Sequence, residues 1–321
     1  MSNVIVRINN NVVSFRDVQP QIINGRVMIP LRGVFEELGC FVGWDGANQR
    51  VIIENAKFRL TYTIGSLTSS RLDKSTKQSS QMQRLDVAPQ IIDGRTLIAL
   101  RHPIEALGFS VDWQASNSTA LITKNSTAND LNAKDYIQIT VWHFFNVQHR
   151  FSKEQTAGIM GNIFQESSWN PLRRRSSSQY WGLFQLSSNL ANELHNLYRN
   201  SGLDMARYGY NVSTFHGIGA EANIPRGDLT TILSIQLSFA RNERPTARDW
   251  ETPLRNASSY MEAAEVFLVD FLGAITPHGD TNEDNRIIYY DMSNHRLNGR
   301  RFQEARQRRE HAETYFNQFD S

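Results

Sequence analysis

Cysteine is nearly absent. Cys40 stands alone among 321 residues, so no internal disulfide can form and no redox or zinc centre is expected. Its setting, EELGCFVGW, reads as that of a small buried hydrophobe rather than a reactive thiol. An excess of one charge is also missing. Lys and Arg total 34 against 32 Asp and Glu, a formal charge of +2, and the counts are 14 against 10 through Lys124 and 20 against 22 beyond it. Neither part is a polycation, and nucleic acid is not an expected partner. No apolar run nears the roughly 18 residues of a membrane span. The opening MSNVIVRINNN lacks the charged-then-apolar layout of a secretory leader, so any work outside a cell would need another route out. The histidines His143, His149, His195, His216 and His278 are scattered without a spacing such as HExxH, and no metal is expected.

What is there begins with a repeat. PQIINGRVMIPLRGVFEELGCFVGW (20–44) matches PQIIDGRTLIALRHPIEALGFSVDW (89–113) at an offset of 69, with 14 of 25 positions identical. In each copy a turn pair, Asn24-Gly25 or Asp93-Gly94, separates short apolar runs. Helical spacing follows and stops at Gly39 or Gly108, where glycine suits a left-handed cap. FVGW then RVIIE, or FSVDW then ALITK, reads as a closing hairpin. The expected unit is a small ββαββ-like module. In the second copy Ala99 replaces the proline at position 30 of the first, and Pro103 falls inside the helical stretch, which leaves the start of that helix open.

These copies resemble the copper amine oxidase amino-terminal-like (stalk) domain, through the run NGR-x-x-x-PLR-x-x-x-E-x-LG-x-x-V-x-W. The resemblance implies spacing or attachment and names no ligand. A copper site is not expected, because His102 is the only histidine in the two copies. The expected division is module 1 at 1–56, module 2 at 57–124, a polar linker at 125–132 (within KNSTANDLNAK), and a mainly α domain at 133–321. The fold class is therefore α+β and multidomain. The basic run HRLNGRRFQEARQRR (295–309) reads as the solvated face of a terminal helix, with contact to a wall polyanion as the other reading.

In the α region, Ser152 and Gln155 form a capping box ahead of a helix. Ile159, Ile163 and Glu166 then share one face by their i, i+4, i+7 spacing. Glu166 thus lies on an apolar stripe, in the last turn before Asn170-Pro171. Desolvation and the helix dipole there both favour the protonated carboxyl, the state a general acid needs. A structural glutamate that reaches water, or that pairs with Arg173, Arg174 or Arg175, would satisfy the same pattern.

The residues ES, then NP, then GLFQ some fifteen positions later resemble the lysozyme-like superfamily of soluble lytic transglycosylases and goose-type lysozymes. More closely, GIMGNIFQESSWNP, GLFQLS, SIQLSFARNE and AAEVFLVDFLG together resemble the phage tail lysozyme family. That resemblance implies Glu166 as the catalytic acid, Ser167 as its neighbouring serine, and Gly182, Leu183 and Gln185 as the motif lining a saccharide groove. Phe184 stands where the transglycosylases commonly carry methionine, and their later alanine-tyrosine-asparagine motif is not evident. Trp169, Tyr180 and Trp181 flank these residues and could cover a sugar face or pack in the core. Gln236 reads equally as a core amide or a cleft hydrogen-bonder. Asp204, Glu243 and Asp249 are candidates for a second acid, each also readable as a surface residue.

The expected function is a peptidoglycan glycosidase of lysozyme type, or muramidase, cleaving the β-1,4 bond between N-acetylmuramic acid and N-acetylglucosamine without a cofactor. It would be phage-encoded, carried on the tail or released at lysis. The amino-terminal repeats would contact wall polymers or virion proteins. The alternatives are a non-catalytic wall-binding or virion structural protein, and lytic transglycosylase chemistry. An amidase or peptidase lacks both its zinc spacing and its cysteine–histidine pairing here.

Overall fold

The computed structural model describes residues 4–15, 17–124, 130–173, 181–186, 188–208, 224–242, 250–271 and 299–319. The chain is α+β and falls into two compact units, Met1–Tyr136 and Ile137–Ser321.

The first unit is built of strands β1 (Ile5–Ile8), β2 (Asn11–Val12), β3 (Gln21–Ile23) and β4 (Arg26–Pro30), then helix α1 (Leu31–Glu37). Strands β5 (Phe41–Asp45), β6 (Arg50–Glu54), β7 (Phe58–Thr63), β8 (Ser69–Asp73) and β9 (Gln78–Gln81) follow. The second copy supplies β10 (Gln90–Ile92), β11 (Arg95–Ala99), α2 (Arg101–Ala106), β12 (Ser110–Gln114) and β13 (Thr119–Thr123). Both turn pairs take positive φ at their two residues, 49° and 72° at Asn24-Gly25 and 49° and 73° at Asp93-Gly94. That is the type I′ geometry whose twist matches flanking strands. Gly39 and Gly108, at φ 81° and 90°, end the two helices as expected. Pro103 is the third residue of α2, within the first turn, where its missing N–H leaves no intrahelical bond unmade.

Residue 56 lies in the turn of the β6–β7 hairpin, where Asn55 Oδ1 accepts the amides of Lys57 and Phe58 at 2.9 and 2.7 Å. The two copies interlock. One sheet runs β10-β11-β4-β3, joined across the copies by β4 and β11, and another runs β12-β13-β1-β2, in which the first strand lies parallel to the last. Ile29 sits opposite Ile98, its own counterpart at the offset of 69, so a local twofold passes through that pair. The ion pairs obey it: Arg26 binds Asp86 at 2.7 Å and Arg95 binds Asp17, each arginine reaching the other copy's aspartate. A small core of Val18, Met28, Val87, Leu97 and Ala99 is shared in the same way. The main core takes Val34, Phe35 and Ile53 from the first copy and Ile98, Ile104 and Ile122 from the second. Only part of the expected linker is described, and that part is packed: Leu131 is buried and donates its amide to Gly39 O at 3.1 Å, while Asp130 binds Lys124 at 2.6 Å.

The second unit is helical: α3 (Ala133–Trp142) enters it, followed by α4 (Lys153–Ser167), α5 (Ser188–Asn200), α6 (Arg226–Asn242), α7 (Glu251–Asn256), α8 (Tyr260–Val266) and α9 (Gly299–Phe319). The Ser152–Gln155 capping box is formed, with Gln155 N to Ser152 Oγ at 3.2 Å and Ser152 N to Gln155 Oε1 at 2.9 Å. Helix α4 is more enclosed than one stripe implies, because every residue from Gln155 to Ile163 is buried. Two glycines explain this. A Cβ on Gly158 would lie 2.6 Å from the Ala263 carbonyl carbon on α8, and one on Gly161 would lie 2.5 Å from Arg308 O on α9. Each glycine costs about 1 kcal/mol of helix propensity and lets a neighbouring backbone reach α4. Among the described residues, no helix is long and apolar enough to cross a membrane.

Candidate active site

Glu166 ends the enclosed helix, in its last turn, and is 9 % exposed. Beyond it the chain turns sharply through Ser168 and Trp169, both left-handed at φ 52° and 70°. Two consecutive non-glycine residues in this region carry backbone strain, held here by the packing of Trp169. Its indole is fully buried and donates to Tyr315 Oη on α9 at 2.6 Å, which settles it as a core residue. Burial pushes the Tyr315 hydroxyl up to about 12.

Hydrogen bonds then lead from the acid's helix to the glycine-led turn. Asn170 N donates to Ser167 O at 3.0 Å, and Asn170 Oδ1 accepts Leu172 N at 2.8 Å. Arg173 O accepts Gly182 N at 3.0 Å and Gln185 Nε2 at 3.1 Å. The turn itself is closed by reciprocal backbone bonds of 2.8 Å between Trp181 and Leu186. Gly182 (φ 79°) faces Gln236, whose Oε1 would lie 2.9 Å from an added Cβ. The Gln236 amide takes Leu183 N at 2.9 Å and gives Nε2 to Pro171 O at 2.6 Å and Tyr198 Oη at 2.8 Å. Of its two readings, Gln236 is therefore the core amide, and it ties the NP turn to the glycine turn.

The other expected site residues divide by exposure. Ser167 and Leu183 are fully buried, and Ser167 Oγ is spent on Ile163 O at 2.9 Å. Trp181 is 1 % exposed, which places its ring in the interior. Gln185 (8 % exposed, φ 48°) aims Nε2 at Gly182 O and Arg173 O, so its other amide atom is the oxygen. That Oε1 is buried and has no hydrogen-bond partner among the described residues. Asp204 is exposed and caps Ala206 N at 3.2 Å. Tyr180, Arg174, Arg175, Glu243, Asp249, His216 and His278 lie outside the described residues.

The structure adds a cation. Arg308 of α9, 4 % exposed, places Nη2 2.7 Å from Glu166 Oε1 and Nη1 3.2 Å from Asn162 Oδ1. Asn162, fully buried on α4, in turn donates Nδ2 to Ala264 O at 2.8 Å and Gly158 O at 2.9 Å. The next residue, Arg309, pairs with buried Glu265 of α8. The basic run read as a solvated face thus turns two arginines inward. A signal for Arg308 existed: it precedes the buried residues Ala312, Tyr315 and Phe319 by 4, 7 and 11 positions, the spacing of one helix face. The charge of the run concealed it.

A helical unit with an acid at the end of a buried central helix, tied to a glycine-led turn, is that of a lysozyme-like domain. Residues 137–319 match the family model for phage tail lysozyme, more than half of the chain, and the chain belongs to that family. Residues 7–84 and 77–140 each match the copper amine oxidase N-terminal domain. No curated protein and no solved structure matches the chain significantly. The first unit does not fit copper, since the ring nitrogens of its one histidine, His102, are both engaged, each at 3.0 Å, by Tyr62 Oη and Gln83 O. Among the described residues, no three of His, Cys, Asp or Glu gather where they could hold a metal ion.

Proposed function

We propose that this lysozyme-like, cell-wall lytic protein is a glycosidase that cleaves the β-1,4 bond between N-acetylmuramic acid and N-acetylglucosamine, with Glu166 as the proton donor. The observation that carries the reading is the buried carboxylate of Glu166, joined through Ser167, Asn170 and Arg173 to the Gly182–Gln185 turn, within residues that match the phage tail lysozyme family. A glycosidic bond breaks when its leaving oxygen receives a proton while positive charge develops at the anomeric carbon. Glu166 supplies that proton. Gln185 supplies a buried acceptor, Oε1, for a sugar hydroxyl or amide N–H. Ser167, Gly182, Leu183 and Trp181 support the site from behind. The protein acts as a tail-borne lysin, and its sheet unit serves as a spacer or attachment module.

Digestion of purified sacculi tests this, with the new ends identified by mass spectrometry. Reducing muramic ends are the expected product, and Glu166→Gln should cut their formation by about 10²- to 10⁴-fold. Anhydro ends would replace hydrolysis with transglycosylation. Free peptide ends, or undiminished digestion by the Gln variant, would remove Glu166 from the reaction.

A further inference from the structure

We propose that Arg308, in the terminal helix, is a positioning residue for Glu166: it fixes the pose of the carboxylate. The inference rests on the glycosidase reading and deepens it.

The geometry exceeds what a tether needs. The Arg308 backbone sits on Gly161, with its carbonyl 2.5 Å from where a Cβ would be. Its guanidinium reaches Glu166, five residues further along α4, an axial distance of about 7.5 Å that calls for an extended side chain. On the way it is squared by Asn162 Oδ1, and Asn162 is locked by two backbone carbonyls. The sequence Ala264 O, Asn162, Arg308, Glu166 is thus a chain of fixed orientations ending at one oxygen of the acid, Oε1. Joining α9 to the bundle is already served by the Arg309–Glu265 pair and by the Trp169–Tyr315 bond. A buried ion pair is weak support for stability, since an apolar pair of similar volume often serves as well.

Of the charged and titratable groups described on the elements packed against this end of α4, Arg309 is taken by Glu265, His311 stacks on Phe164, and Arg173 bonds Ser168 Oγ. Arg308 contacts the carboxylate directly. Removing its fork misplaces the carboxyl, and a misplaced acid lowers the rate of the chemical step more than it weakens the binding of glycan.

The test is kcat and KM on sacculi for the full chain and for Arg308→Met, Arg308→Lys and Glu166→Gln, each checked for folding by circular dichroism. In Arg308→Met kcat should fall roughly tenfold or more while KM stays near the parent's. Arg308→Lys keeps the charge but not the two-pronged reach to Asn162 and Glu166, so its kcat drops as well. If both variants fold and reproduce the parent's kcat while Glu166→Gln is inactive, the Arg308 proposal is overturned and the glycosidase reading stands. A Glu166→Gln protein as active as the parent overturns both. Should Arg308→Met fail to fold, Arg308→Lys decides alone, and a parental kcat there sinks the proposal.

Discussion

Glu54 in the sheet unit and Glu166 in the helical unit are both buried carboxylates held by cations, yet they are placed for different ends. Glu54, 2 % exposed, pairs with Arg59 at 2.8 Å and Lys74 at 2.9 Å, on strands β6 and β7 and just past β8. Burial alone would raise its carboxyl, but the two cations outweigh burial and hold it below the usual glutamate range. Both partners reach solvent, with side chains 25 % and 29 % exposed, so the cluster staples three consecutive stretches of one sheet at its rim. Glu166 has a partner as buried as itself, brought from 142 residues away and oriented by a third side chain. Burial of an acid therefore does not mark a site. What differs is the second layer: behind Glu54, Lys74 is steadied by a backbone oxygen, Asn55 O at 3.2 Å, whereas behind Glu166, Arg308 is held by a side chain, Asn162, that is itself locked by two carbonyls.

The glycines divide in the same manner. Gly25 and Gly94 have nothing within 4 Å of an added Cβ and are needed for their positive φ, whereas Gly158 and Gly161 are helical and are needed for the space. The largest effect expected from breaking this contrast is Gly161→Val. Its side chain would meet the backbone of α9, and about 3 kcal/mol or more should be lost. Thermal unfolding should show the transition of the helical unit lowered or absent, with the sheet unit's intact. A single parental transition would mean that α9 does not press on α4 as described.

Next in size is Glu54. Because its folded value is depressed, its contribution to stability is present above the unfolded value of about 4.3 and is lost as pH falls through the folded value. The resistance of the sheet unit to chemical denaturation should weaken on acidification below about pH 4. Glu54→Gln should flatten that dependence and cost about 2 kcal/mol at neutral pH, with digestion per folded molecule unchanged. The smallest effect belongs to the exchanged surface pairs. Arg26 and Asp86 are 54 % and 64 % exposed, so a double-mutant cycle should return a coupling of about 0–1 kcal/mol. A value well above that would make the crossed pairs drivers of the interlock rather than its ornaments.

What was legible in the sequence was local chemistry. The Asn24-Gly25 and Asp93-Gly94 turns, the Gly39 and Gly108 caps and the Ser152–Gln155 box each set backbone angles within a few residues, and each is found as read. Glu166 was legible because helical period alone placed it among apolar neighbours. The interlock of the copies was not, because a strand's residues do not name the strand that will pair with it, and β1 finds β13 more than a hundred residues away. Arg308 was missed for a related reason. Its partner lies on another helix, and the local signal, its helical spacing to Ala312, Tyr315 and Phe319, is hidden by the charge of a run that also holds Arg300, Arg301, Arg306 and Arg309. Gly158 and Gly161 carried a readable hint, since two glycines inside a well-capped helix cost stability unless something must come close.

The pairing of Ile29 with Ile98 has a further meaning for the ancestry and the robustness of the sheet unit. A polypeptide holding one copy alone would carry a self-complementary edge and meet its match only in a sibling molecule, at a yield governed by dilution. Tandem duplication puts both halves on one string, so that assembly no longer depends on how many such molecules are nearby.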